Sequence, residues 1–298
     1  MKRKPGSLLV LSIILLSSCV DLQHINSFAE SSLKVSESAS GKSSTFTNLY
    51  TGYDNAVGSK LIHIKDEELK SNRFDLTQPK VDSAQYLLYR QADKTIDYFA
   101  NTLSAYFQGI SKVSSKDLVN YDFDKVAAGL KADNIKALLH ITDAQIDAGA
   151  KISKTFADEI LSRYRDKKLR AILAEHDEAL SASTDALASA LQSLKGVITN
   201  SKTNLSANYT GISIRPEIAA DAKVAWRNNV FDQFAYLDNE NAKIDFIIAG
   251  LKKIKEGHHR IAVEAQSSRL DAKQLTAILD EYSTKIFETI TEIKSLKK

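Results

Sequence analysis

The chain has 298 residues, of which 40 are lysine or arginine and 37 are aspartate or glutamate, giving a formal net charge of +3. A chain of this length can bury a sizeable apolar core, and its nearly balanced charge gives no ground for a nucleic-acid-binding face, which needs clustered basic residues. A single cysteine excludes an internal disulfide, while three prolines and 11 glycines favour long helices over sandwiches or barrels, which require many turns.

The first twenty residues have the pattern of a secretory signal peptide. Basic residues at 2–4 precede an apolar run at 8–16, which is too short to span a bilayer. The run ends in Leu-Ser-Ser-Cys at 16–19, which resembles the lipobox of bacterial lipoproteins. This resemblance implies that lipid is attached to Cys19 and that the chain is cut just before it. The alternatives are an ordinary signal peptide with a chance cysteine and an uncleaved helical anchor.

The lipobox resemblance also implies a cellular address. A signal peptide at 1–18 is removed, and several acyl chains at the new N-terminus anchor the protein stably to a membrane. In Gram-negative lipoproteins an aspartate directly after the cysteine resembles an inner-membrane retention signal, whereas here Val20 follows Cys19. We therefore expect a lipid-anchored cell-envelope protein, at the outer membrane rather than the inner membrane. Cleavage would remove three basic residues and leave 37 charges of each sign.

A serine-rich stretch follows the predicted anchor. Its composition predicts a flexible tether over residues 19–60. Leu22, Ile25 and Phe28 have helical spacing, so a short helix just after the anchor is also possible. The remaining residues, 61–298, are predicted to form one helical bundle domain.

Three helices are predicted in the next part of the chain. Apolar residues recur every three or four positions between Val81 and Ile110, and Pro79 marks the chain entry just upstream. A shorter helix is expected from about Phe123 to His140, and Thr142-Asp143 can cap the next one. From Asp143 to about Ile198 the spacing predicts one unbroken helix longer than about 75 Å, which is typical of a coiled-coil-like arm.

Two more helices are predicted after a polar connection at Thr199–Arg215. Pro216 opens the first, which has the clearest heptad seam of the chain and a plausible stop at Gly257. The seam positions are Val230, Phe234, Leu237, Asn241, Ile244, Ile248 and Leu251. The last helix carries Leu275, Leu279, Tyr282, Ile286, Ile290 and Ile293. The predicted fold is all-α: an elongated antiparallel helical bundle with long coiled-coil-like helices.

Two features of these helices leave alternatives open. Asn241 either fixes the helix register as a buried amide or meets water on a half-buried seam. Aromatic residues crowd the first long helix and either line a helix–helix seam or form a partner-binding surface. They are Tyr86, Tyr89, Tyr98, Phe99, Tyr106 and Phe107.

Two groups combine residues that could act as acids, bases or metal ligands. In Glu175-His176-Asp177-Glu178, adjacent helical residues point in different directions and no second Glu-x-x-His pair exists, so a solvated charged face is predicted. His258-His259-Arg260 follows Gly257 at a predicted helix junction, where it caps a helix end or binds an anion or a metal. The other histidines are isolated and are assigned no role: His24, His63 and His140.

Catalytic motifs do not occur in the sequence. It contains no Gly-x-Ser-x-Gly, no Gly-rich phosphate loop and no His-Glu-x-x-His. We therefore predict no enzyme and no catalytic, cofactor-binding or metal-binding residue, with Cys19 as the only site residue. The expected function is a non-enzymatic scaffold or partner-binding module that engages an envelope protein and no nucleic acid. The alternatives are a helical pore-forming or membrane-remodelling protein and a bundle that binds a small molecule or metal.

Overall fold

The fold is taken from a computed structural model, which describes residues 7–52, 84–113, 131–159, 171–216, 218–266 and 272–296. The main helices are α1 (Ser7–Ser40), α2 (Ala84–Val113), α3 (Asp133–Leu139), α4 (Asp143–Glu159), α5 (Asp177–Ser213), α6 (Ala220–Gln266) and α7 (Ala272–Ser295). Short helical stretches at 46–52 and 171–175 accompany them, and these described ranges contain no strand. The predicted all-α bundle with long helices is confirmed.

α1 packs against α2, α6 and α7. Phe28 contacts Phe107 of α2, with ring centroids 6.1 Å apart, and also lies beside Gly257 of α6. Two turns later Val35 lies beside Gly250, so α1 and α6 run antiparallel. α5 packs against α2, α4 and α6 instead of α1.

Residues 23–52 of the serine-rich stretch contribute buried side chains to the core, and 23–40 are helical, in agreement with the predicted alternative of a helix just after the anchor and not with a tether over this part. Ile25, Val35 and Phe46 are buried there together with Ser32 and Ser36. The Ser36 hydroxyl donates to the carbonyl oxygen four residues back, at 3.0 Å, which satisfies it inside the helix. Small side chains also allow helices to approach closely. The same composition therefore suits a packed helix, and residues 53–60 of the predicted tether lie outside the described ones.

The predicted unbroken helix from Asp143 to Ile198 is also wrong. α4 and α5 pack against each other, which two parts of one straight rod cannot do. α5 then continues through the predicted polar connection at 199–213. Ser201 and Thr210 each donate their hydroxyls to the carbonyl four residues back, at 3.0 Å, so these polar side chains are satisfied within the helix.

The predicted short helix and its successor agree in part with the structure. α3 occupies 133–139, after two non-helical residues, and 123–130 lie outside the described residues. His140 ends α3 in the left-handed conformation, with φ 53°. The predicted cap at Thr142 is confirmed: Gln145 N–H donates to Thr142 Oγ1 at 3.3 Å, and Thr142 N–H donates to Gln145 Oε1 at 2.8 Å.

α6 is 47 residues long and does not stop at Gly257 as predicted. A Cβ placed on Gly257 would lie 2.7 Å from Cγ of Tyr282 and 2.9 Å from Cε2 of Phe28. The glycine therefore permits a close crossing of helices instead of ending one. Its position inside a longer helix also removes the predicted helix junction at 258–260.

The predicted seam of α6 faces the bundle, but only every second residue of the seam is buried. Val230, Leu237 and Ile244 are buried, whereas Phe234 and Asn241 are half-buried. The Asn241 side chain therefore lies at the edge of the seam, and its Oδ1 accepts no hydrogen bond. Because α6 contacts helices on more than one side, its deepest positions do not follow one heptad stripe.

Candidate functional site

A buried polar cluster joins α2, α5 and α6 where these helices meet. Tyr106 of α2 donates its hydroxyl to His258 Nε2 at 2.6 Å, and His258 Nδ1 lies 3.0 Å from Asp177 Oδ1. The second carboxylate oxygen of Asp177 accepts from His259 Nδ1 at 2.6 Å. Tyr106, His258 and the neighbouring His176 are fully buried, whereas His259 is exposed. Three sequence-distant segments thus meet in one hydrogen-bonded cluster.

The protonation states of the cluster follow from its hydrogen bonds. Burial raises the pKa of Asp177, but the hydrogen bonds from His258 and His259 outweigh this and lower it overall, so the group is a carboxylate. A carboxylate only accepts, so His258 Nδ1 carries a proton. Burial lowers the pKa of His258, which leaves Nε2 as an acceptor for the Tyr106 hydroxyl. Burial, with Asp177 nearby, raises the pKa of Tyr106 well above its ordinary value.

The cluster corrects two predictions made from the sequence. His176 does not belong to a solvated face, because it is fully buried and its ring lies 6.2 Å from the ring of Tyr106. His258 does not cap a helix end, because it lies inside α6 and pairs with Asp177. The sequence placed these two groups on separate helices without a signal for their contact. The buried heptad position of His258, seven residues after Leu251, was the one available hint.

The geometry of the cluster suits helix positioning better than chemistry. Tyr106 and His258 have no exposed surface, so a substrate cannot reach the atoms that they share. Among the described residues, no three His, Cys, Asp or Glu side chains are placed to hold a metal ion. The hydrogen bonds instead fix the relative register of α2, α5 and α6.

Four of the six aromatic residues of α2 line a helix–helix seam, as the first of the two alternatives predicted, while Tyr86 and Tyr89 are half-buried and lie against the ring of Tyr50. Tyr98, Phe99, Tyr106 and Phe107 are buried, and Tyr98 stacks edge-on against Phe99 with centroids 5.2 Å apart. Gly149 of α4 lies against these two rings. This stretch of α2 is therefore not an open partner-binding surface.

A second candidate site is a two-helix arm, defined as residues 203–213 of α5 and 220–235 of α6. It extends past the end of α7, because Asn239 Nδ2 donates to the carbonyl of Leu296 at 2.7 Å, at the base of the arm. α1 has also ended at this level, since the backbone N–H of Ser44 donates to Glu240 Oε2 at 3.0 Å. Relative to the described parts of α1 and α7, the arm therefore projects as a helical hairpin.

The arm carries apolar side chains that the fold leaves open. Within 220–236 only Val230 is buried. Val224 and Phe231 on the arm, and Ile214 in the connection between its helices, are 57%, 60% and 75% exposed, although such residues usually contribute to cores. Val224 and Phe231 are seven residues apart and therefore share one face of α6, and exposed apolar residues on a common face mark a surface that can bind other molecules. The arm is consequently the best candidate for a partner-binding surface in the described part of the chain.

Cys19, the predicted lipidation residue, lies within α1, and its side chain is not among those that the structure describes. None of the described helices is both long and apolar enough to cross a lipid bilayer. His24 contacts Asp280 of α7, His140 ends α3, and His63 lies outside the described residues.

Comparisons of the chain with protein-family models, with curated proteins and with solved structures find no match.

Proposed function

We propose that this protein is a lipid-anchored, non-enzymatic scaffold of the bacterial cell envelope, which presents its arm to a protein partner. The observation that carries the proposal is the arm, a helical hairpin outside the body with exposed Ile214, Val224 and Phe231. The lipobox resemblance at Cys19 supports attachment to a membrane through lipid. Val20 directly after the cysteine favours the outer over the inner membrane.

The spacing between the anchor and the core supports this arrangement. Ile25, the first buried residue described in α1, follows Cys19 by only six positions. Six helical residues span about 9 Å, and even a fully extended chain of this length reaches only about 21 Å. Lipid on Cys19 would therefore hold this end of the bundle close to the membrane surface instead of at the end of a long tether.

The arm lies at the opposite end of the bundle. Gly257 is level with the start of the packed part of α1, because it lies beside Phe28. From Gly257 back to Ala220 at the tip, α6 covers 37 residues, or about 56 Å at 1.5 Å per residue. An anchored body would thus present the arm at a distance from its own membrane, where a partner is accessible.

The anchor is tested by replacing the predicted lipidation residue in the native host. Cys19→Ala is expected to abolish incorporation of labelled fatty acid and to release the protein from the membrane fraction or leave it unprocessed. A Ser27→Ala variant, which changes an exposed residue of α1, serves as the control and keeps normal labelling. Normal fatty-acid labelling of Cys19→Ala would refute the anchor.

The arm is tested separately by photocrosslinking in intact cells. A benzoylphenylalanine at position 231 is compared with one at 287, because Phe231 and Phe287 have similar exposure, 60% and 55%, but Phe287 lies on α7. We expect a discrete protein adduct from position 231 that is absent from 287 and is lost when Val224→Ser is added. Identical adducts from both positions would contradict a partner site on the arm.

A further inference from the structure

The two helices of the arm lack the ion pairs that join the same helices inside the body. Three lysine–aspartate pairs connect α5 to α6 within the body: Asp185 with Lys255, Lys195 with Asp245 and Lys202 with Asp238. The pairs advance by equal steps along the two antiparallel helices, and the last of them lies at the base of the arm. Beyond it, among the described residues, no side-chain hydrogen bond or ion pair connects 203–213 to 220–235.

The interior of the arm also contains little apolar surface. In 203–213 the only buried residue is Asn208, and in 220–235 the only one is Val230. Leu205 and Phe234 are half-buried. Inside the body the same two helices bury a row of large aliphatic residues: Leu187, Leu191, Leu194, Ile198, Ile244, Ile247 and Leu251. Because helices in water are held mainly by the packing of an apolar face, α5 and α6 are joined weakly in the arm and firmly in the body.

The arm further encloses polar groups without partners. Neither the amide nitrogen nor the amide oxygen of Asn208 has a hydrogen-bond partner, although this residue is only 2% exposed. The indole N–H of Trp226, nearer the tip on α6, is likewise buried without an acceptor. Such groups lose their hydrogen bonds with water when the two helices close on them, and they regain these bonds when the helices separate. The closed arm is therefore destabilised where its packing is weakest.

We propose that the arm is a conformational switch, whose two helices separate beyond the Lys202–Asp238 pair and close again while the body stays folded. In the open state water reaches the polar groups of Asn208 and Trp226. Val230 also becomes accessible, so the open arm presents an apolar side chain that the closed arm hides. The opening is a property of the chain alone and holds whether or not the arm binds a partner.

The first test uses the full chain carrying Cys19→Ala, which is purified without lipid. Trp226 is the only tryptophan, so its fluorescence reports on the arm alone. In a urea titration we expect the fluorescence transition at a lower urea concentration than the transition in far-UV circular dichroism, which reports on all helices. Coincident transitions would contradict the proposal.

Amide hydrogen exchange followed by mass spectrometry shows how far the opening extends. Peptides from 203–213 and 220–235 should exchange at least about tenfold faster than peptides from 187–198 and 244–254, because separated helices of this length are marginal in water. Opening as a unit gives one exchange rate throughout both arm segments. Exchange that slows steadily from the tip to the base would indicate ordinary fraying and would overturn the switch, as would equal exchange in arm and body.

A substitution at Asn208 tests the cause of the opening. Asn208→Leu replaces the unpartnered amide by an apolar group of similar size, and it is expected to lower the opening constant by about tenfold. Exchange in both arm segments should slow by the same factor. Asn228→Leu makes the same change at an exposed position of the arm and should alter exchange by only about twofold, the difference in helix propensity.

Circular dichroism of each variant verifies that the body is folded. Asn208→Ala, which removes the amide without adding a branched side chain, should act in the same direction and keeps the test valid if Asn208→Leu fails to fold. Equal effects at 208 and 228 would overturn the proposed role of Asn208. The crosslinks that test the proposed function do not depend on any of these outcomes.

Discussion

His258 illustrates how a single residue can join three helices in this protein. Its ring is fully buried, and each nitrogen has a partner on a different helix, Tyr106 on α2 and Asp177 on α5. A buried histidine without such partners would leave polar atoms unsatisfied, at a cost of roughly 1–3 kcal/mol each. The neutral ring is therefore part of the packing, and its protonation should be unfavourable.

This cluster predicts how stability depends on pH. Burial lowers the folded-state pKa of His258, so below about pH 6.5, the unfolded value, the unfolded chain binds more protons and the folded state loses stability. The loss for one such group is at most about 1.4 kcal/mol per pH unit. Urea unfolding between pH 7.5 and 5.5 measures it. His258→Gln should flatten this slope, and equal slopes in both proteins would contradict the prediction.

The outer pH limits follow from the other two groups of the cluster. The pKa of Asp177 is lowered, so its contribution is present at neutral pH and is lost as the pH falls through its folded-state value, below about 4. The pKa of Tyr106 is raised, so the unfolded chain ionises first and stability falls above about pH 10. The neutral range between these limits leaves all three hydrogen bonds intact.

Two glycines with opposite surroundings give a second test at residue scale. Gly257→Ala places a methyl group within 3 Å of Tyr282 and Phe28, so we expect a loss of about 1–3 kcal/mol in unfolding free energy. Gly196→Ala lies in the interior of α5 with nothing within 4 Å of the added atom. It should stabilise the protein by about 0.5–1 kcal/mol, because alanine is the better helix former. Chemical denaturation of both variants measures the difference, and losses of similar size would contradict the proposed close crossing.

At the scale of elements, α1 offers a direct test that the serine-rich stretch is a core helix. Ser32 is fully buried and its hydroxyl has no hydrogen-bond partner, whereas Ser27 lies on the exposed face of the same helix. Ser32→Asp should cost about 3 kcal/mol or more, because it places a charge in the core without a partner. Ser27→Asp should stay within about 0.5 kcal/mol. Similar unfolding free energies for both variants would contradict the buried helix and would favour the predicted flexible tether.

The elements also show which parts of the fold were predictable. Helical spacing of large apolar residues located α2, α6 and α7, because such residues drive packing on one face. Composition misled at α1 and at 199–213, since serine and threonine resemble linker residues but are accommodated in helices through backbone hydrogen bonds. The spacing of apolar residues alone also could not distinguish one unbroken helix over 143–198 from the two helices α4 and α5. Two separate helices show the same period of three to four residues as one long helix.

The candidate sites were less accessible to sequence reasoning than the helices. The contact between Asp177 and His258 joins residues 81 positions apart and depends on how α5 packs on α6, which no local pattern encodes. The exposure of Phe231 next to a buried seam position becomes visible only once the end of α7 is placed. Sites made between elements follow from packing, which local periodicity does not specify.

At the scale of the whole molecule, the proposed anchor at Cys19 and the arm lie at opposite ends of the bundle. Ser27 lies near the end close to Cys19, Glu288 lies on the C-terminal half of α7, and Asn228 lies on the arm; all three are exposed. Between the levels of Gly257 and Asn228, α6 covers 29 residues, or about 44 Å. With Cys19 lipidated, a cysteine introduced at one of these positions would be the only free thiol, because the chain has one cysteine.

These positions predict a graded distance from the membrane. The three variants Ser27→Cys, Glu288→Cys and Asn228→Cys are labelled with a donor dye and reconstituted in vesicles that carry acceptor dyes on their lipid head groups. Energy transfer should be strongest from position 27, intermediate from 288 and weakest from 228, because an anchored body directs the arm away from the surface. Equal transfer from all three positions would mean that the bundle lies flat on the membrane, and the arm would then not project towards a distant partner.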